Sequence, residues 1–104
     1  MVLKTRYFLL IGFAVALFSC GDGAKRQGPI DAKALYNQKC SLCHGNDGKL
    51  MLAQASDLSK SVLSVEERMN IISNGKNTMA PFKAVLSQEE IKAVAIYLET
   101  FRTP

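Results

Sequence analysis

The segment Cys40–His44, which reads CSLCH, limits the possible folds of this chain more than any other part of its sequence. Two thiols three positions apart on one helical turn point the same way, and an imidazole follows directly after them. His44 is the only histidine among the 104 residues, and Cys20 is the only cysteine outside the segment. We therefore expect a fold in which two thiols and one imidazole bind the same ligand.

The pattern C-x-x-C-H is the attachment site of a c-type haem. Cys40 and Cys43 are predicted to bond to the two vinyl groups on one side of a porphyrin, and His44 is predicted to bind the iron. A thioredoxin-like redox pair would need a βαβ context, and this sequence shows little strand pattern. A zinc site needs four ligands, commonly from two Cys/His clusters, whereas only one cluster exists here. The motif therefore predicts one covalent haem c with its iron as cofactor.

Met79 is predicted to bind the iron from the opposite face. One histidine excludes ligation by two histidines within this chain, and methionine is the partner of histidine in haem sites of this type. Met79 lies in the segment 74–82, in which Gly75 permits a sharp chain reversal and Pro81 stiffens the end of the segment. A rigid loop of this kind keeps a weak thioether ligand on the iron.

Two other methionines and an open sixth position remain alternatives. Met51 comes seven residues after His44, which is a short reach around a porphyrin to its other face. Met69 falls beside Val65 and Ile72 at helical spacing, which favours core packing. An open position would make the chain a haem-based ligand binder or a peroxidase, but the sequence offers no second histidine for acid–base catalysis.

Three helices and no clear strand are predicted. Asp31 is expected to cap the first helix, which runs into the segment Cys40–His44. The second and third helices are expected to begin at Ser64 and Ser87, each followed three positions later by a glutamate in a capping-box pattern. The third helix carries an apolar face that is expected to enter the core: Ile91, Val94, Ala95, Leu98 and Phe101.

Taken together, these motifs resemble a class I cytochrome c over residues 31–102. The matching positions, in order, are Leu35-Tyr36, the haem motif with Gly45, Asn74-Gly75, Met79-Ala80-Pro81-Phe82, Leu86-Ser87 with Glu89-Glu90-Ile91, and Tyr97-Leu98. The resemblance implies an all-α fold of three to four helices wrapped around one covalent haem, with the first and last helices crossing. It also implies a one-electron carrier rather than an enzyme, with the Met79 loop supplying the distal ligand.

Two positions depart from the pattern of that family. Ala32 stands where the family often has glycine at the crossing of the terminal helices. Ser56 stands where the family often has a proline whose carbonyl accepts a hydrogen bond from the haem histidine. A serine carbonyl can accept the same bond, so we expect His44 to keep its orientation.

The N-terminal segment is predicted to be an export signal. Lys4 and Arg6 precede twelve uncharged residues, 7–18, and Ser19 follows at the expected cut. Residues 17–20 resemble the lipobox of bacterial lipoproteins, which predicts a signal peptide of residues 1–19 and acylation of Cys20. Residues 20–30 are then a lipidated, flexible linker, and residues 31–104 form the cytochrome c domain. An ordinary signal peptide and an uncleaved anchor are the alternatives.

Charge does not indicate nucleic acid binding. The net charge of +4 comes from 13 basic and 9 acidic residues, and Lys4 and Arg6 leave with the signal. The remaining excess of about two is matched by the two carboxylates of a haem.

The expected partners are redox proteins on the periplasmic side, such as a respiratory complex, a terminal oxidase or a dehydrogenase, with the lipid binding the membrane. A fixed subunit of an oxidoreductase complex is the alternative to a mobile carrier.

Overall fold

The structure, a computed structural model, describes residues 28–102, which contain helices, connecting segments and one isolated β-bridge. The α-helices of this part are α1 (Ala32–Lys39), α2 (Ser41–His44), α3 (Val65–Asn74) and α4 (Gln88–Tyr97). Short 3₁₀ helices span Leu52–Gln54, Leu58–Lys60 and Leu98–Phe101. The predicted all-α fold is confirmed.

Most of the predicted N-terminal features lie outside the described residues. These are the signal peptide of residues 1–19, the lipidation site Cys20 and residues 21–27 of the linker. Residues 28–30, which end the predicted linker, are exposed to solvent. Within residues 28–102, no helix combines the length and the apolar character that a membrane span requires.

The predicted helix starts are confirmed by their side-chain hydrogen bonds. Asp31 Oδ1 accepts a hydrogen bond of 2.9 Å from a first-turn amide of α1. The Ser64 hydroxyl accepts from the Glu67 amide at 3.2 Å, while Glu67 Oε2 accepts from the Ser64 amide at 2.7 Å. Ser87 and Glu90 repeat this reciprocal pair at the start of α4, at 3.1 and 2.8 Å. Each pair satisfies amides that the helix itself leaves unbonded.

The core forms where α4 packs against both α1 and α3. The first and last α-helices are therefore in contact, as expected, with the half-buried Ala32 at the position that often holds glycine. The buried apolar side chains come from these three helices, the loop before α4 and the last 3₁₀ helix: Leu35, Tyr36, Ile72, Leu86, Ile91, Val94, Ala95 and Leu98. The apolar face predicted for the third helix is thus in the core, except that Phe101 is only partly buried.

Tyr36 joins this core to the segment that follows α2. Its ring centroid lies 5.5 Å from that of Tyr97 and 4.9 Å from that of Phe101, within the range of favourable aromatic packing. Its hydroxyl donates a hydrogen bond of 2.6 Å to the Gly45 carbonyl. Burial raises the pKa of Tyr36 well above its usual range, so the hydroxyl remains a donor at neutral pH. The end of α2 is thereby fixed relative to α1 and α4.

Ser87→Ala is expected to lower the free energy of unfolding by about 1 kcal/mol, because it removes the side-chain cap of the helix that packs on two others. Urea unfolding of the haem-loaded protein measures the effect. Ser73→Ala is the control, because Ser73 lies inside α3 with no side-chain hydrogen bond to the described residues. Equal stability of the two variants would contradict the capping role of Ser87.

Candidate cofactor site

A cavity of about 360 Å³ lies between α3, the junction of α1 and α2, and the loops that precede and follow α3. Its wall includes Cys40, His44 and Met79, which are three of the four residues predicted to hold the haem. Cys43 lies on α2, half-exposed and outside this wall. Seven aliphatic side chains complete much of the lining: Leu58, Val62, Leu63, Ile71, Ile72, Val94 and Leu98.

His44 ends α2 and is oriented by a backbone carbonyl. Its Nδ1 lies 3.1 Å from the Ser56 carbonyl oxygen. A carbonyl can only accept, so Nδ1 carries the hydrogen and donates it. The neutral imidazole then has its lone pair on Nε2, which is the form that binds a metal. The contact expected between His44 and residue 56 is therefore present, although serine replaces proline there.

Cys40 lies at the junction of α1 and α2. It closes α1 and precedes the first residue of α2, with φ −121° and ψ −34°. Cys40 and Cys43 are both free thiols rather than a disulfide. Burial raises the pKa of the Cys40 thiol to about 11, so it is protonated at neutral pH. Neither sulfur is used in a disulfide, so both are available to form thioether bonds with vinyl groups.

The loop that carries Met79 is held by its own backbone. The Lys76 amide donates to the Met79 carbonyl at 3.2 Å, and the Met79 amide donates to the Lys76 carbonyl at 2.9 Å. Gly75 precedes this pair with φ 75° and ψ 167°, a conformation that is essentially restricted to glycine. The Thr78 hydroxyl donates to the Ala53 carbonyl at 2.9 Å and ties the loop to its neighbour. The chain reversal predicted at Gly75 is therefore present.

The other two methionines of residues 28–102 do not reach the cavity wall. Met51 is 56% exposed and has a left-handed backbone with φ 55°. Met69 is partly buried and packs against the core, as its helical spacing predicts. Met79 is thus the one methionine within the described residues that lines the same cavity as His44.

Arg68 is a residue of the cavity wall that the sequence pattern did not reveal as part of the site. It is 3% exposed, and its Nη1 donates to Glu99 Oε1 at 2.5 Å and to the Ala95 carbonyl at 3.3 Å. Nε and Nη2 are also buried, and no described residue accepts a hydrogen bond from them. A signal was present, because Arg68 interrupts the apolar positions 65, 69 and 72 on the inner face of α3.

Comparison with known proteins identifies the family of this chain. A family model described as cytochrome c oxidase, cbb3-type, subunit III matches residues 29–98. The chain belongs to the family of small c-type cytochromes. Cytochrome c6 of Nostoc sp. strain PCC 7120 is 30% identical to this cytochrome over 95 residues, covering 86% of each chain. Cytochrome c6 of Leptolyngbya boryana is 33% identical over 70 residues, covering 62% of this chain and 81% of the relative.

Solved structures show the same fold. The c-type cytochrome KustC0563 superimposes with a TM-score of 0.65 and 31% identity, covering 71% of this chain and all of its own. Cytochrome c6C from Synechococcus sp. PCC 7002 superimposes with a TM-score of 0.58 and 30% identity, covering 67% of this chain and 93% of its own. The cytochrome therefore has the cytochrome c fold and is an electron-transfer protein, not an enzyme.

The cofactor of this family is one covalent haem c with its iron. The residues of the site fit that group. The aliphatic wall suits the porphyrin, and thiol, imidazole and thioether groups are the donors that haem c uses. Arg68 adds a buried positive charge to the residues of the same wall.

Gly75→Ala is expected to destabilise the haem-loaded protein by about 1–3 kcal/mol because of its backbone conformation. A Cβ atom there would also lie 2.5 Å from the Met79 carbonyl oxygen, so the loop has to shift. Urea unfolding measures the loss. The control is Gly28→Ala, whose Cβ would meet nothing within 4 Å. A Gly75→Ala variant as stable as this control would show that the loop does not need glycine.

Proposed function

We propose that this cytochrome is a membrane-tethered carrier of single electrons, with its haem bonded to Cys40 and Cys43 and its iron bound by His44 and Met79. The observation that carries the proposal is that His44, oriented through Nδ1, and Met79, on a braced loop, line one aliphatic cavity. An iron with two axial ligands that both stay bound is suited to electron transfer, because no coordination position remains open for a substrate.

During electron transfer, the protein keeps the positions of the two iron ligands fixed while the charge of the iron changes. When bound, the haem supplies the one-electron couple of its iron. The Ser56 carbonyl holds the imidazole, and the paired amides and carbonyls of Lys76 and Met79 hold the thioether, so neither ligand has to move. The aliphatic wall excludes water and disfavours the additional charge of the ferric state. His/Met ligation and an apolar wall both raise the reduction potential.

The proposed membrane tether is based on the N-terminal sequence. The lipobox-like residues 17–20 support acylation of Cys20 after export, which places the domain on the periplasmic side of a membrane. Two or more acyl chains give stable anchoring, whereas one does not. If residues 21–30 form the flexible linker that their sequence predicts, these ten residues have a root-mean-square reach of roughly 17 Å. The domain can then meet several membrane-bound redox partners, such as a respiratory complex, a terminal oxidase or a dehydrogenase, without leaving the surface.

A fixed subunit of an oxidoreductase complex is the second candidate. The matching family model describes a subunit of an oxidase, whereas the relatives named cytochrome c6 favour a separate carrier. Purification of the native protein from membranes separates the two. Recovery with other subunits at a constant ratio favours the subunit, and recovery of the single chain favours the carrier.

Met79→Leu is expected to open the sixth position of the iron. The visible spectrum of the ferrous variant should shift on addition of carbon monoxide, whereas the wild-type protein should keep its low-spin spectrum. Met51→Leu is the matched control, because Met51 is 56% exposed and lies outside the cavity wall. A wild-type protein that binds carbon monoxide readily would argue against Met79 ligation and favour a gas-binding role.

Cys20→Ser is expected to release the cytochrome from the membrane fraction into the soluble fraction, because the side chain that accepts the lipid is lost. Fractionation followed by haem staining measures the distribution. Ser19→Ala keeps a small residue before the cysteine and serves as the control. If Cys20→Ser stays with the membranes, residues 1–19 act as an uncleaved anchor and lipidation is wrong.

A further inference from the structure

The segment 61–63 is a part of the cavity wall with few backbone hydrogen bonds of its own. Ser61, Val62 and Leu63 all line the cavity, and they lie between a 3₁₀ helix and α3. The Ser61 amide donates to the Leu58 carbonyl at 3.2 Å, but the amides of Val62 and Leu63 find no acceptor within residues 28–102. Val62 is 90% exposed, so the packing of its side chain does not fix the segment either. The segment therefore needs contacts from another part of the chain to keep one position.

Arg102 supplies these contacts. Its Nε donates to the Ser61 carbonyl at 2.8 Å, and its Nη2 donates to the Leu63 carbonyl at 2.9 Å. No other group of the described residues donates to either carbonyl. One planar guanidinium thus bridges the two ends of the segment, and the charge of the donor strengthens both hydrogen bonds. Because both acceptors are carbonyls of the main chain, these bonds fix the path of the backbone along the cavity wall.

The guanidinium of Arg102 is itself held in place. Arg102 directly follows Phe101, whose ring centroid lies 4.9 Å from that of the buried Tyr36. Its third nitrogen, Nη1, lies 3.1 Å from Glu99 Oε2, and Glu99 Oε1 accepts a hydrogen bond from the buried Arg68. The side chains of Arg102 and Glu99 are 37% and 40% exposed, so their ion pair alone adds little stability. Its effect is to orient Nε and Nη2 toward the two carbonyls.

We propose that Arg102 is a positioning residue of the haem site, which holds the segment 61–63 against the porphyrin and thereby raises the reduction potential of the iron. The inference rests on the proposed haem site. Arg102 is not part of the cavity wall and acts on it through the two carbonyls. Val62 and Leu63 are apolar residues of the wall, which disfavours the additional charge of the ferric state while water is excluded. Release of the segment would admit water and stabilise the ferric state.

The first test compares the reduction potentials of haem-loaded Arg102→Lys, Arg102→Met and Lys92→Met with that of the wild-type protein. Arg102→Lys keeps the positive charge, but an ammonium lacks the planar fork that bridges both carbonyls. We expect both Arg102 variants to raise the ferric-to-ferrous ratio at a given applied potential about threefold, which corresponds to a potential lower by about 28 mV. Lys92→Met is the control for loss of charge, because Lys92 is exposed and lies outside the wall. An Arg102→Lys variant with the wild-type potential would overturn the inference, because only the charge would then matter.

Limited digestion of the same haem-loaded proteins with trypsin tests the position of the segment independently of the iron. The side chain of Lys60 is 82% exposed and directly precedes the segment, so trypsin can cut the bond after Lys60 when the segment opens. We expect both Arg102 variants to be cut there several-fold faster than the wild-type protein, with an unchanged rate at the bond after Lys49. An unchanged rate after Lys60 would show that Arg102 does not hold the segment. Equal acceleration at both bonds would indicate a general loss of stability and would also overturn the inference.

A crystal structure of the haem-loaded wild-type protein decides the question even if the Arg102 variants do not fold. A contact within about 4.5 Å between the porphyrin and Val62 or Leu63 supports the inference, and a greater separation of both side chains overturns it. A wild-type protein without a low-spin haem spectrum would instead refute the proposed function, so the two failures are distinguishable.

Discussion

The packing of α4 against α1 and α3 is the contact on which the rest of the structure depends. α4 adds Val94 to the cavity wall, while Ile91 and Ala95 lie in the core. Because α1 leads directly into the haem motif and α3 leads into the Met79 loop, one helix sets the separation of both ligand-bearing segments. The two capping boxes on α3 and α4 then determine where each of these helices begins.

The orientation of the site comes mainly from backbone atoms. The carbonyl of Ser56 receives the His44 hydrogen bond, and the carbonyls and amides of Lys76 and Met79 brace the methionine loop. Such contacts depend on the path of the chain and tolerate changes of side chain. This explains why serine at position 56, where the family often has proline, leaves the contact with the histidine in place.

Much of this architecture follows from local sequence rules. Asp31, Ser64 and Ser87 begin helices because their side chains bond amides close by, and the third helix buries the face that its spacing predicts. Arg68 was not predicted to be part of the site, because charged side chains are normally expected at the surface. Its burial depends on Glu99, which lies 31 positions away in the sequence. Left-handed backbone at Met51, Ala53 and Gln54 was not predicted either. The bond from Thr78 to the Ala53 carbonyl is a tertiary contact that no local pattern encodes.

The separation of Met79 from the haem motif has a mechanical consequence in the proposed haem-bound state. A haem fixed covalently at Cys43 and bound again by Met79 would link two points of the chain that enclose all of α3. Such a bond behaves as a reversible cross-link, which restricts the unfolded chain while it is closed. Breaking the bond between iron and sulfur would then lower the free energy of unfolding, and unfolding would break that bond. Unfolding of such a carrier would release the sulfur from the iron and so change the visible absorption spectrum.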